Sequence, residues 1–167
     1  ARVLIGYDVR YNSDVFAADT AEILSGYGLT AILTETWVPT PVVAFGIGEL
    51  GCVAGVVVTA SHNPPNDNGY KVYLGGADNG SQIVAPVDEE IAGHIQRVAE
   101  AGPITALARS TDYETAGEDV VNAYIAATAA VAPAPEAARG TRWVYTAMHG
   151  VGWETFARIL VRVPISA

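Results

Sequence analysis

Residues 54–69 read AGVVVTASHNPPNDNG, and this stretch decides the predicted fold. The residues at its start are almost entirely apolar and mostly β-branched, which is typical of a strand buried on both faces of a parallel sheet. The residues after them are rich in Asn, Pro and Gly, which predicts a polar turn over 61–69. Ser61 therefore lies just past the carboxyl end of a buried strand, where open α/β sheets bind their ligands.

Strand and helix patterns alternate along the rest of the chain. Besides 54–59, strands are predicted at Val3–Tyr7, Thr30–Glu35 and Lys71–Leu74; helices are predicted at Asp14–Gly26, at Val42–Leu50, from Pro86 to the stop at Gly102 and Pro103, and at Asp119–Val131. Residues 75–82 and 103–118 are expected to be irregular connections. This order predicts an α/β fold whose mostly parallel or mixed sheet is flanked by helices.

Two of the predicted helices carry more detailed expectations. Asn12 or Ser13 is the expected cap of the first helix. The helix that Pro86 opens has acidic residues in its first turn, as the helix dipole prefers. The side chains expected to face the core are Phe16, Ile23 and Leu24 on the first helix and Ile91, Ile95 and Val98 on the later one.

The chain of 167 residues is acidic, with 18 Asp and Glu against 9 Lys and Arg and a formal net charge of −9. Because affinity for nucleic acid comes largely from Lys and Arg on phosphates, this charge predicts no nucleic-acid partner and no anionic membrane partner. The single cysteine, Cys52, excludes an intrachain disulfide, and no apolar run is long enough to span a bilayer. We therefore expect a cytoplasmic protein in which any phosphate site is a local cationic pocket.

The chain is expected to contain one domain and the beginning of another. Residues 1–132 form the first predicted domain, 133–141 a linker rich in Pro and Ala, and 142–167 the start of a second, similar domain. In that last part we predict a strand at Trp143–Met148 and a helix at Glu154–Leu160. Both ends of the chain fall within apolar segments, which favours a fragment of a longer protein.

Ser61 is a poor candidate for the nucleophile of a Ser-His-Asp hydrolase. The G-x-S-x-G elbow of many hydrolases is missing around it. His62 is badly placed to act as a base on its own neighbour, because adjacent side chains diverge along extended backbone. His94, alone on a predicted helix, is more typical of a surface residue.

Ser61 is a better candidate for a phosphate carrier, because a phosphoserine needs hydrogen-bond donors and cations around it. The turn and the neighbouring strand ends supply such groups: His62, Asn63, Asn68, Lys71, which is the only lysine of the chain, and Arg10 at the same edge of the sheet. An ordinary polar turn is equally open on the residues alone, since Asn, Pro, Asp and Gly are common turn formers.

Several motifs resemble those of the α-D-phosphohexomutases, the family of phosphoglucomutases and phosphomannomutases. TASHNP at 59–64 with NGYKVY at 68–73 resembles the phosphoserine loop of that family, and the match covers consecutive residues at the right spacing. Four further stretches agree with the family pattern: GYDVR at 6–10, VPTP at 38–41, GSQIV at 80–84 and TAMHGVG at 146–152. The amino-acid sequence of the turn most resembles the branch of the family that contains bacterial phosphoglucomutase/phosphomannomutase and phosphopentomutase relatives.

The resemblance implies a role for each matching residue. Ser61 is the implied phosphoserine, which gives a phosphoryl group to a sugar monophosphate and takes one back from the other end of the bisphosphorylated sugar. His62 and Asn63 are implied to support that site, Lys71 and Arg10 to neutralise the transferring group, and Lys71 to help as acid or base. Asn68 and His149 are further candidates for phosphate or substrate binding, and a turn or core role for His149 is equally open.

The resemblance also implies parts that this sequence lacks. The Asp-Gly-Asp-x-Asp-Arg segment that binds Mg²⁺ in the family is not found, so only Ser61, through its phosphate, can be placed as a metal ligand. Mg²⁺ and a hexose 1,6-bisphosphate are thus implied for an intact enzyme, together with its remaining domains. A stand-alone module that binds sugar phosphates without turnover is the alternative, and a phosphopentomutase is another.

Overall fold

The computed structural model describes residues 1–131 and 140–163, which form a mixed sheet of six strands with helices on both faces. The strands are β1 (Arg2–Tyr7), β2 (Thr30–Thr34), β3 (Ala54–Val58), β4 (Tyr70–Leu74), β5 (Ser81–Gln82) and β6 (Glu114–Ala116). The helices are α1 (Ser13–Gly26), α2 (Thr40–Glu49), α3 (Val87–Ala101), α4 (Glu118–Val131) and α5 (Gly152–Arg162). Two short 3₁₀ turns lie at Gly76–Asp78 and Ile104–Ala106.

The strand order is β5-β4-β3-β1-β2-β6, and the predicted mixed, mostly parallel sheet is confirmed. β1 lies parallel to both β2 and β3, and β6 is parallel to β2. β4 returns antiparallel to β3, and β5 is antiparallel to β4. Because Tyr7 lies opposite Val58, the chain leaves β1 and β3 side by side at the same edge of the sheet. The polar turn after β3 is therefore the connection of a β-hairpin.

The side chains of the central strands alternate between two apolar layers. Leu4 and Val57 pack against α2 and α4, in a cluster that includes Ile47, while Ile5 packs on the other face with α1. Leu4, Ile5 and Ile47 are fully buried. This alternation is what a sheet covered on both faces requires. None of the helices in the described ranges has both the length and the apolar character needed to cross a bilayer.

Two predicted helix faces are only partly right: Leu24 of α1 packs against the core and Ile91 of α3 is half-buried, but other predicted members are exposed. α1 turns Ala17 and Ala21 onto the sheet and leaves Phe16 39% exposed, because small side chains let the helix lie close to the strands. In α3 the amphipathic pattern is present, but Ile95 and Val98 are 64% and 50% exposed. Burial of an apolar stripe needs a second surface, and the described residues place none over this face. α3 instead forms one wall of an apolar groove that Ile104 and Leu107 complete.

The predicted strand at Trp143–Met148 is also wrong. This segment makes no strand pairing with the described residues, and its aromatic rings pack on α5 instead. The ring of Tyr145 stacks on Phe156 with a centroid distance of 4.5 Å, and Trp143 meets the same ring edge-on at 5.5 Å. This apolar segment thus packs on a helix and does not join the sheet.

Three other predictions are changed or not covered by the described residues. The connections predicted as irregular at 75–82 and 103–118 contain the short edge strands β5 and β6. Most of the predicted linker, 133–141, lies outside the described residues. The helices predicted to begin at residues 42, 86, 119 and 154 are present, with ends shifted by a few residues.

The two glycines of α2 give a matched test of how closely this helix lies against the sheet. A Cβ atom on the buried Gly46 would lie 2.7 Å from Leu4 Cδ2 and 3.0 Å from Val120 Cγ2. A Cβ atom on the exposed Gly48 would meet nothing within 4 Å. We expect Gly46→Ala to destabilise the protein, since overpacking costs about 1–3 kcal/mol and the gain in helix propensity is at most about 1 kcal/mol.

Gly48→Ala has only the helix-propensity gain and should raise the free energy of unfolding by up to about 1 kcal/mol. Urea denaturation of both variants measures the difference. Equal stability of the two variants would contradict the close approach of α2 to β1.

Candidate active site

Ser61 stands at the carboxyl edge of the sheet, three residues after the end of β3. Its backbone is in the left-handed region, with φ at +54°, and its side chain is exposed. A residue with a Cβ atom is strained in this region and stays there only when its surroundings hold it. One such constraint is the hydrogen bond from the Ser61 backbone N–H to Thr59 Oγ1, at 3.1 Å.

The carboxylate of Asp8, just after β1, organises the groups around Ser61. Its Oδ2 accepts a hydrogen bond from Thr59 Oγ1 at 2.6 Å. Its Oδ1 accepts from Ser13 Oγ at 2.7 Å and from the backbone N–H of Arg10 at 3.0 Å. Because the Thr59 hydroxyl donates its proton to Asp8, its lone pairs are free to accept from Ser61. A continuous chain of hydrogen bonds therefore runs from Asp8 through Thr59 to the backbone of Ser61.

Asn68 fixes the other end of the turn. Its Nδ2 donates to Ser13 Oγ at 3.0 Å and to the carbonyl of Tyr11 at 3.2 Å, and its Oδ1 accepts from the Gly69 N–H at 3.0 Å. The side-chain amide is thus engaged within the scaffold, where the sequence suggested a phosphate ligand. Ser13 is bound to Asp8 and Asn68 and does not cap α1, and the N-cap residue Asn12 makes no side-chain capping bond either.

The guanidinium of Arg10 lies beneath the turn and is only 13% exposed. It donates to four backbone carbonyls, those of Pro64 at 2.8 Å, Asp67 at 3.1 Å, Ser61 at 2.6 Å and Asn63 at 2.9 Å. Its Nε lies 3.6 Å from Asp8 Oδ2. The parallel pairing of β1 and β3 thus brings Arg10 to the turn, as the sequence predicted.

Lys71 approaches the same cleft from β4, where it lies opposite Val57 of β3. Within residues 1–131 and 140–163 its ammonium makes no ion pair and no hydrogen bond. Ser61, His62, Asn63 and Lys71 line one side of a cleft of about 550 Å³. The volume lies in the range of small-molecule sites.

The opposite side of the cleft is formed by the segment before α5, including the exposed His149. Thr40 and Gly152, the first residues of α2 and α5, also line the cleft. The start of a helix favours anions, because its free N–H groups and dipole present positive charge. The structure therefore brings together all predicted site residues except Asn68, which lies behind the turn.

Sequence reasoning gave no role to three residues that shape the site. Asp8 and Thr59 stood inside the quoted motifs GYDVR and TASHNP, so a signal for both was present. Thr40 stood in VPTP, which was noted only as a stretch that agrees with the family pattern. What the sequence did not show is which of these side chains bond to one another across distant segments.

Two other candidate nucleophiles or bases are ruled out by their surroundings. Cys52 is 4% exposed, and burial raises the pKa of its thiol, so it stays protonated and away from the cleft. His94 lies on α3, where its Nδ1 pairs with Arg97 Nη2 at 2.7 Å, and it lines the apolar groove. Neither residue lines the cleft beside Ser61.

A divalent metal does not find a complete site in the described residues. Residues 1–131 and 140–163 contain no group of three or more His, Cys, Asp or Glu side chains that could hold an ion. Among the described residues that line the cleft, the one carboxylate is that of Asp8, and it already accepts from two hydroxyls and a backbone N–H. The expectation that a phosphate on Ser61 supplies a metal ligand therefore stays a prediction.

Over most of its length the chain is similar to known proteins of one family. Residues 1–102 match the family described as phosphoglucomutase/phosphomannomutase, alpha/beta/alpha domain I. A protein of Haemophilus influenzae named "probable phosphomannomutase" is 54% identical over 160 residues, which are 96% of this chain and 32% of that protein. A protein of Schizosaccharomyces pombe named "probable phosphoribomutase" is 44% identical over 57% of this chain and 16% of its own length.

A solved structure shows the same fold. The crystal structure of a Thermus thermophilus protein, provisionally described as a phosphomannomutase, superimposes with a TM-score of 0.76 at 30% identity. The match covers 98% of this chain and 35% of that one. The chain thus spans about a third of the length of these two relatives.

Two buried threonines test the hydrogen-bond chain behind Ser61. Thr59→Val keeps the side-chain shape but leaves an oxygen of Asp8 and the N–H of Ser61 without this partner. We expect a loss of about 1–3 kcal/mol in the free energy of unfolding, the usual cost of orphaned polar groups. Urea denaturation is the measurement.

Thr34→Val is the matched control, because Thr34 Oγ1 is buried and has no hydrogen-bond partner within the described residues. Its replacement should be neutral or slightly stabilising. A Thr59→Val variant as stable as Thr34→Val would show that the chain from Asp8 contributes nothing.

Proposed function

The chain belongs to the phosphoglucomutase/phosphomannomutase family, and from this membership we propose that it supplies the phosphoserine domain of an enzyme that interconverts sugar 1-phosphates and 6-phosphates. Because the chain spans about a third of its relatives, the activity, the sugar and the other domains of such an enzyme are all part of the proposal. In it, Ser61 carries the phosphoryl group between the two ends of the sugar.

The observation that carries the proposal is that the backbone of Ser61 is held in place while its hydroxyl is free. A short network from Asp8 holds its backbone, while its hydroxyl makes no hydrogen bond with the described residues and faces a cleft of about 550 Å³. An ordinary turn serine gains nothing from a strained, supported backbone. A group that must accept and release a phosphoryl group gains a fixed position.

The chemical step exchanges one oxygen–phosphorus bond for another. The bond between Ser61 Oγ and phosphorus breaks, and the attacking hydroxyl oxygen of the sugar monophosphate forms a new bond to that phosphorus. The proton of that hydroxyl passes to the departing serine oxygen, and Lys71 is the nearby group that can relay it. The second transfer is the reverse step at the other end of the reoriented bisphosphate.

The lining of the cleft suits the charges in this step. Phosphoryl transfer depends mainly on positioning and on donors that meet the phosphate oxygens. Lys71, His62 and Asn63 provide such groups on the side of Ser61, and His149 provides one on the opposite side. In a chain of net charge −9 this is the local cationic pocket that an anionic substrate needs.

The relatives favour a hexose phosphate as substrate and leave a second candidate. The relative named for mannose is 54% identical over 96% of this chain. Of two relatives named for ribose, one is 44% identical over 57% of the chain and the other is 31% identical over 94% of it. A phosphopentomutase is therefore the second candidate. The proposed intact enzyme is cytoplasmic and takes its phosphoryl group from a hexose 1,6-bisphosphate. Mg²⁺ belongs to the proposal only as an ion that a phosphate on Ser61 would help to bind.

Replacement of Ser61 tests the carrier role. In the full-length protein, treatment with glucose 1,6-bisphosphate should place phosphate on Ser61, and Ser61→Ala should abolish both this phosphate and mutase turnover, since no carrier remains. Phosphopeptide mapping and a coupled assay measure the two. Ser81→Ala, which removes another exposed serine, is the control and should change neither.

Three results would change the proposal. An unmodified Ser61 in the treated protein would favour a module that binds sugar phosphates without turnover. Turnover by the isolated 167 residues would show that no further domain is needed. Faster turnover of ribose phosphates than of hexose phosphates would favour the phosphopentomutase.

Replacement of Lys71 tests the proton relay and the charge at the phosphate. We expect Lys71→Ala to lower kcat by about 10²–10⁴-fold, the usual range for one acid–base or electrostatic group. Phosphate on Ser61 should still be detectable, because the carrier itself is intact. Unchanged kcat would remove Lys71 from the mechanism.

A further inference from the structure

The Nη groups of Arg10 donate their hydrogen bonds to the backbone of the turn. The two Nη1 hydrogens go to the carbonyls of Pro64 and Asp67, and the two Nη2 hydrogens go to those of Ser61 and Asn63. The Nε faces the carboxylate of Asp8 at 3.6 Å. A guanidinium has five N–H donors in all, so none of its Nη hydrogens is left for a phosphate in this arrangement.

Between the ends held by Thr59 and Asn68, the turn has few other hydrogen bonds to hold its shape. Pro64 and Pro65 have no N–H, and the backbone bonds from Asn63 to Ala60 and from Asp67 to Pro64 each close only a local turn. The four carbonyls that accept from Arg10 converge on one guanidinium. Without this cation they would face one another with no donor between them. A charged donor among them forms stronger bonds than a neutral one.

We propose that Arg10 is a positioning residue that holds the turn 61–67 by its carbonyls and thereby fixes Ser61 toward the cleft. This inference goes beyond the proposed function and rests on it only where Ser61 is taken as the phosphate carrier. Among the described residues, Arg10 and Lys71 are the Lys and Arg side chains that line the cleft. With Arg10 bound to the turn, Lys71 is the one whose charge is free to meet the phosphate. The sequence had suggested that both cations share that task.

The chemistry of the two cations agrees with this division. A guanidinium is a planar fork that reaches several acceptors at once, whereas an ammonium is a compact charge with donors on one atom. Four carbonyls spread over seven residues need the first kind of group. A lysine at position 10 would keep the charge but could not reach all of them.

Arg10→Lys therefore separates a positioning role from direct neutralisation of the phosphate. Hydrogen exchange of the backbone amides of Ser61, Asn63 and Asp67, measured by NMR on the full-length protein without sugar, reports the order of the turn. We expect exchange to rise by about tenfold or more in Arg10→Lys and in Arg10→Ala, because both lose the carbonyl contacts. Arg97→Lys, an exposed change on α3, should leave these amides unaffected.

Activity gives the second readout. If Arg10 positions Ser61, Arg10→Lys should fail to rescue Arg10→Ala: both should lower kcat on the order of 10²-fold, the cost of a small misplacement of a reacting group, with little change in KM. If Arg10 meets the phosphate by its charge, Arg10→Lys should restore most of the activity. That rescue, or wild-type exchange in Arg10→Lys, would overturn the inference.

Two features keep the test independent of the proposed function and of folding. The exchange measurement needs no phosphate on Ser61, so a wild-type protein without mutase activity would refute the proposed function and still test Arg10. Amides of β1 and β3 serve as the internal measure of folding. If Arg10→Ala exchanges throughout these strands, Arg10→Lys alone decides the outcome.

Discussion

The carboxylate of Asp8 is the constraint on which the rest of the site depends. It is only 17% exposed, so its charge must be compensated by donors, and it receives them from α1, from the end of β1 and from the end of β3. One group thus joins three segments at the same edge of the sheet. Because its negative charge is neutralised by these bonds and by Arg10, it does not repel an anion from the cleft beside it.

The part of the structure that follows from local patterns was predictable. The β-branched run of β3, the alternating strands and helices, and the position of Ser61 at the sheet edge all follow from periodicity and turn residues. The bonds from Asp8 to Thr59 and from Arg10 to the turn join residues about 50 positions apart, and no local pattern records them. The same limit explains α3, whose sequence shows an apolar stripe but not whether anything covers it.

The error at Trp143–Met148 has a related cause. A short apolar segment can form a strand in a sheet, or it can pack its rings on a helix without pairing with any strand. Tyr145 and Phe156 settle the matter through a ring contact that only the tertiary structure supplies. At the site the opposite holds: the residue types were recognisable, and the structure adds which of them are engaged in the scaffold, such as Asn68, and which face the cleft, such as Lys71.

The hairpin between β3 and β4 has a consequence for how this site can be altered. The connection begins and ends at neighbouring residues, since the Thr59 N–H donates to the carbonyl of Gly69 at 3.0 Å and Val58 lies opposite Tyr70. A segment with adjacent ends can be exchanged for one of another length without moving the strands that carry it. A replacement loop would therefore have to keep the serine at position 61 and present a set of inward-facing carbonyls to Arg10.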